Sequence, residues 1–226
     1  IIVVSVMPCV AKKYESARPE LGLSNDVSDV DYVITTRELG HMLHDLSLDF
    51  DSLEEEPFDE LMGESSGAGD VFGVTGGVIE AALRTAHYFL TGEDAPKPEL
   101  EALRGFKGIK EATAKIGDRE LKLACANGLG NARTILDSVR HGTSDYDVIE
   151  IMACPGGCIA GGGQPYHHGD VSILEKRKDA IYRHERSKKI RSAHRNPRVI
   201  QLYNEFLGKP LGEKSLKLLH TSYVYR

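Results

Sequence analysis

The chain has 226 residues, 41% of them hydrophobic and 27% charged, the composition of a globular protein long enough to bury a good core. No apolar run approaches the roughly 18 residues that would span a bilayer, so no membrane span is expected. A net charge of −6 with the two signs mixed argues against nucleic acid, and four cysteines do not make a disulfide scaffold.

Ile1 to Met7 is an apolar, β-branched run stopped by Pro8, which reads as a buried parallel strand delivering Cys9 to its carboxyl end. The run lacks a preceding basic region and a small-residue cleavage site, so it is not laid out as a signal peptide. A chain that opens this way reads as one entered at a strand, with further residues expected upstream. Asp31 to Thr35 is a second short strand, leading into a helix over Thr36 to Leu46. There Thr36 is the expected cap, and Leu39, Leu43 and Leu46 share a face. After an acidic stretch from Asp49 to Glu64 comes SSGAGDVFGVTGG, whose glycines permit close backbone approach. A helix over Val78 to Leu90 follows, with Ile79, Ala82, Leu83, Ala86 and Phe89 as its apolar stripe and Gly92 as its stop.

Phe106 to Ile116 and Glu120 to Ala126 read as strands joined by a Gly117-Asp118 turn, and Leu129 to Val139 as a helix ending near Gly142. Asp147 to Ala153 is another apolar strand, and it runs straight into CPGGCIAGGGQP. The pattern predicts an α/β fold: a parallel-sheet lobe with flanking helices and cofactor-like loops at strand ends. From Val171 onward only helices are predicted, an all-helical C-terminal extension. Ile173 to Ser192 is a long charged helix, and its basic stretch Lys176 to Arg195, interleaved with Asp179 and Glu185, reads as a solvated face. Asn196-Pro197 opens a helix that Gly208-Lys209-Pro210 ends, and Glu213 to His220 precedes an aromatic tail with Tyr223 and Tyr225. The expected division is therefore 1–170 and 171–226.

Cys154 and Cys158 stand four residues apart in a loop leaving a strand, and Gly156, Gly157 and Gly161 to Gly163 clear side chains from around a bulky inorganic ligand. Thiolates hold iron-sulfur clusters, and nearby backbone N–H groups donate to the sulfides. The plain alternative is a tight glycine turn with two incidental thiols. Cys9, after a strand and a proline, adds a third thiol. Zinc sites favour matched cysteine pairs, and no second pair exists here, so iron-sulfur is the better reading. Cys125, in LKLACANGL, reads instead as a small buried hydrophobe.

MPCVAKKYE at Met7 to Glu15 resembles the second signature of iron-only ([FeFe]) hydrogenases, and EIMACPGGCIAGGGQP at Glu150 to Pro165 resembles the third. FGVTGGVIEAALRTA is similar to the glycine segment between them, and NPRVIQLYNEFLGKP with LLHTSY resembles the family's small-subunit region. The resemblance covers nearly the whole chain. It implies reversible oxidation of dihydrogen at an H-cluster, a [4Fe-4S] cubane joined to a diiron subcluster with carbon monoxide, cyanide and a bridging dithiolate. Cys9 and Cys154 would each hold a cubane iron, and Cys158 would bridge cubane and diiron unit. Lys12 would donate to an iron-bound cyanide, Met7 and Met152 would pack against the diiron site, and Pro8, Phe72 and Gln164 would lie near the cluster. Glu15 is either a partner for Lys12 or a plain helix carboxylate.

The family's first signature, with the remaining cubane cysteine and a proton-relay cysteine, is absent. The upstream half of the catalytic domain is thus expected on the same or another chain. Ferredoxin or other redox subunits are the implied electron carriers, and the helical tail on the same chain suggests a cytoplasmic protein. A non-catalytic iron-sulfur relative, a hydrogen sensor of low turnover and a purely structural α/β module in a larger redox complex are the alternative functions.

Overall fold

The computed structural model describes residues 1–24, 27–60, 62–97 and 99–223. Tyr225, half of the expected aromatic tail, lies outside them. In chain order the elements are strand β1 (Val4–Met7), helix α1 (Ala11–Glu15), strands β2 (Gly22–Ser24), β3 (Val27–Ser28) and β4 (Tyr32–Thr35), and helices α2 (Thr36–Asp45), α3 (Gly67–Asp70) and α4 (Gly77–Thr91). Strands β5 (Ile109–Ile116) and β6 (Arg119–Asn127), helix α5 (Leu129–Arg140), strand β7 (Val148–Met152), and helices α6 (Val171–Ser187), α7 (Pro197–Leu202) and α8 (Glu213–Leu219) complete the α/β fold. Two units interleave in sequence: Ile1–Gly63 with Gly161–Tyr166 and Pro197–Arg226, and Glu64–Ala160 with His167–Asn196.

In the first unit, β1 and β4 pair in parallel, with Val4 opposite Tyr32 and Met7 opposite Thr35. Among the described residues each strand pairs along one edge only, and Val4, Val6 and Tyr32 are exposed. The cap of α2 is Thr35, one residue before the expected Thr36. Thr35 is still in strand conformation (ψ 160°), so its hydroxyl accepts from the Glu38 N–H at 3.1 Å while its own N–H donates to Glu38 Oε2 at 2.7 Å. A hydrogen bond from Lys13 and that N–H together hold the Glu38 carboxyl down at about 2.

The second unit is built on a three-stranded sheet, β5-β6-β7, with β5 and β6 an antiparallel hairpin and β6 and β7 parallel. Alternation along β6 sends Leu123 and Cys125 to one face, against Ile79 and Leu83 of α4, and Ala124 and Ala126 to the other, against Ala132 and Ile135 of α5. The sheet is thereby covered by a helix on each side.

Two expectations fail here for one reason. On α4 the buried positions are Gly77, Ile79, Glu80, Ala81 and Arg84, while Ala82 and Phe89 of the expected stripe are exposed. Helix α6 ends at Ser187 rather than Ser192, and Glu185, assigned to a solvated face, is 0% exposed. Both changes build one buried ion network. Arg84 reaches Glu80 at 2.6 Å and Glu185 at 2.9 Å, Arg191 reaches Glu185 at 2.7 Å, and Arg104 reaches Glu80 at 2.9 Å. Burial pushes the Glu185 carboxyl up, but the Arg191 and Arg84 guanidiniums outweigh it and hold it below the usual carboxylate range.

Candidate metal-cluster site

In the first unit the site begins where β1 ends. Met7 is its last residue, and Pro8 and Cys9, both half-buried, follow before α1 carries Lys12. The segment Gly161–Tyr166 runs alongside: the Gly163 N–H donates to the Pro8 carbonyl at 3.0 Å, and the Arg37 N–H donates to the Gly163 carbonyl at 3.0 Å. A Cβ on Gly163 would stand 2.9 Å from the Met7 oxygen, the Pro8 carbon and Thr35 Cβ, so only glycine permits this approach to the Cys9 loop. Gln164 is half-buried, and its carbonyl accepts from Arg37 Nη1 at 3.2 Å.

Lys12 forms an i,i+3 ion pair with Glu15 on α1. Their side chains are 44% and 36% exposed, so the pair contributes about 0–1 kcal/mol and serves geometry more than stability. A cavity of about 260 Å³ beside them is lined by Met7, Lys12, Glu15 and Val33, among others.

In the second unit β7 delivers Met152, half-buried, at its carboxyl end, and the CPGGC loop follows. Cys154 is half-buried and Cys158 exposed. The loop turns on Gly156 and Gly157, at φ +94° and +91°, and the Gly157 N–H closes it onto the Cys154 carbonyl at 2.9 Å. A Cβ on Gly157 would come within 2.9 Å of the Gly73 oxygen and the Thr75 nitrogen, so the glycine segment is seated directly against the cysteine loop. Phe72, in that segment, is 49% exposed. Arg177 of α6 donates to the Ile159 carbonyl at 2.8 Å and holds the far end of the loop.

Cys125 is a different kind of thiol. It is fully buried in the core beside Leu123, and its Sγ donates to Glu150 Oε1 at 3.4 Å. Burial, with the Glu150 carboxylate beside it, pushes the thiol up to about 12, so it stays protonated. Sequence reading assigns no role to Glu150, although a carboxylate inside the apolar strand VIEIM is a signal that could have been used. It accepts from the Gly76 N–H at 2.6 Å and the Ile79 N–H at 2.9 Å, tying β7 to the start of α4. Asn127 and Thr75 were likewise missed, and no sequence signal marks them.

Among the described residues no group of three or more His, Cys, Asp or Glu side chains could share one metal ion. A cubane needs no such convergence, because each thiolate binds its own iron corner. The donor chemistry fits the cluster: Cys9, Cys154 and Cys158 reach the surface from loops at strand ends, whereas Cys125 is withdrawn and protonated.

Thiols presented from loops beyond the carboxyl ends of parallel strands stand where α/β proteins place their ligands. The chain belongs to the iron-only hydrogenase family: residues 1–162 match the C-terminal domain of the iron-only hydrogenase large subunit, and residues 171–226 match the iron hydrogenase small subunit. It is 54% identical over 226 residues to the NADP-reducing hydrogenase subunit HndD of Solidesulfovibrio fructosivorans, covering 100% of this chain and 38% of that protein. It is 46% identical over 179 residues to the periplasmic [Fe] hydrogenase large subunit of Nitratidesulfovibrio vulgaris, covering 79% of this chain and 42% of that one. Among solved structures, apo [FeFe]-hydrogenase HydA1 from Chlamydomonas reinhardtii, variant C377H, superposes with a TM-score of 0.81 at 38% identity, over 99% of this chain and 63% of the other. The chain thus spans about two-fifths of the curated relatives named here.

Proposed function

We propose that this chain is part of the catalytic domain of an [FeFe] hydrogenase that interconverts dihydrogen with protons and electrons at an H-cluster. The observation that carries this is the contrast among thiols: the CPGGC loop and the loop after β1 present Cys154, Cys158 and Cys9, while the fourth cysteine is sealed and protonated. When bound, the cluster supplies an open iron position for heterolytic splitting of hydrogen and a cubane that conducts electrons away. Cys9 and Cys154 would hold cubane irons, and Cys158 would join the cubane to the diiron unit, whose ligands would be carbon monoxide, cyanide and a dithiolate. Lys12, paired with Glu15, would donate a charge-assisted hydrogen bond to a cyanide ligand of the bound cluster. Met7 and Met152 would pack against the diiron unit as soft, adaptable side chains, and Pro8, Phe72 and Gln164 would lie near the cluster.

The remaining cubane cysteine and the proton-relay cysteine belong to an upstream half of the catalytic domain. Residues 1–170 form the second half of that domain and 171–226 a small-subunit-like extension, supported by the break between the two family matches. No helix among the described residues is long and apolar enough to cross a membrane. With the extension on the same chain as the cluster segment, the enzyme works in the cytoplasm and passes electrons to ferredoxin or to other redox subunits. The test is infrared spectroscopy of the anaerobically purified full-length protein, matured with its diiron unit. Sharp bands in the iron-bound carbonyl and cyanide stretching window are expected, and their absence after complete maturation would leave a cubane-only iron-sulfur protein.

A further inference from the structure

Asn127 is the last residue of β6 and lies opposite Met152, the last residue of β7, in parallel register. Its side chain is not directed back into the sheet but committed to the loop that leaves β7. Oδ1 accepts from the Gly156 N–H at 2.8 Å and from the Thr75 hydroxyl at 2.6 Å. Nδ2 donates to the Lys107 carbonyl at 2.8 Å and to the Gly105 carbonyl at 3.2 Å. A residue 2% exposed therefore satisfies its whole amide capacity on three loops at once. The Thr75 N–H returns a hydrogen bond to the Gly156 carbonyl at 3.3 Å, so the peptide between the two cysteines is gripped on both sides.

We propose that Asn127, with Thr75, is a positioning residue for the thiolate loop: it fixes the Gly156-Gly157 turn that spaces Cys154 from Cys158, and it keeps the Gly156 N–H away from cluster sulfide. This rests on the reading of Cys154 and Cys158 as cluster ligands. Two physical consequences follow. A loop released from its buried anchor holds the cluster less rigidly, and losses of such supporting hydrogen bonds typically weaken metal sites about 10- to 100-fold. A freed N–H that turns to a sulfide stabilises the more negative, reduced cluster, which raises its potential.

The experiment uses full-length protein reconstituted with iron and sulfide alone, so that hydrogenase activity is not the readout. Asn127→Ala, Thr75→Val and Thr75→Ser are compared with wild type by iron release to a chelator, by midpoint potential from EPR of the reduced cubane, and by melting temperature. Asn127→Ala is expected to release iron about 10- to 100-fold faster and to have a more positive midpoint. Thr75→Val shifts both the same way but less, and Thr75→Ser, which keeps the hydroxyl, returns wild-type values. Wild-type release rate, line shape and potential in both Asn127→Ala and Thr75→Val overturn the proposal, whatever their melting temperatures. Should Asn127→Ala not fold, the nearly isosteric Thr75→Val decides alone, on the same readouts. A Cys154→Ala protein that takes up the same EPR-active cluster as wild type overturns the ligand reading beneath it instead.

Discussion

Four cysteines with one chemistry divide by environment. Cys125 sits in an apolar core with its proton held toward Glu150, and the other three lie in loops that water or a cluster can reach. Cys125→Ala is therefore expected to leave iron uptake at the wild-type level while lowering stability by about 1 kcal/mol, the usual size of a single core change. Iron analysis after reconstitution, set beside a urea melt, checks both halves, and iron loss in this variant would make Cys125 a ligand after all. Gly163 is the other decisive single residue. With three atoms 2.9 Å from where a Cβ would lie, Gly163→Ala must push the Met7–Pro8 backbone aside, at a cost of about 1–3 kcal/mol in urea unfolding. The three loop cysteines proposed as ligands stand out in the sequence by spacing and glycine content. Gly163's contact with Met7 and Thr35 was not, because it joins positions far apart in sequence.

At the scale of elements, helix ends were legible wherever glycine stops them. Gly92, at φ +79°, is the expected stop of α4, which runs to Thr91, one residue past the expected Leu90, and Gly208, also at +79°, closes the turn that follows α7. The cap of α2 was misplaced by one because two threonines adjoin and only backbone conformation chooses between them. The Thr35–Glu38 box makes a pH prediction. Glu38's carboxyl is lowered from 4.5 to about 2 in the folded chain, so the stability it contributes is complete above pH 4.5 and is lost as pH falls toward 2. Glu38→Gln is expected to flatten that part of the acid-unfolding curve, followed by circular dichroism.

The ion network was illegible because charge patterning along one helix cannot reveal partners on another. Glu185→Ala would take from Arg84, itself 2% exposed, one of its two buried carboxylate partners and leave it Glu80, and it is expected to cost about 3 kcal/mol in denaturant unfolding. Arg84→Met combined with Glu185→Leu should cost less, since it removes the under-paired buried guanidinium while Glu80 keeps Arg104 and Arg191 keeps Glu99; an equally large loss for the double variant would assign the effect to packing.

For the molecule as a whole, the α/β class and the helical end could be read from alternating patterns. What sequence order hid is that the helical end is shared: α6 belongs to the unit holding β5, β6 and β7, and α7 and α8 to the unit holding β1 and β4. A chain cut after Asp170 would lose Glu185 from one unit and two helices from the other. Such a fragment is expected to be cleaved by protease far faster than the intact chain, under conditions where the intact chain resists. Comparable resistance would show that 1–170 folds alone.

The short parallel pair formed by β1 and β4 has a further consequence for a cell making this protein. Among the described residues each of these strands has one edge without a strand partner, flanked by the exposed side chains of Val4, Val6 and Tyr32. Such an edge recruits any extended segment that reaches it, including the same strand of another newly made copy. The interval before that edge is covered is when aggregation competes with assembly, and the faces of β1 and β4 are where a holdase chaperone would do most for the yield of soluble protein.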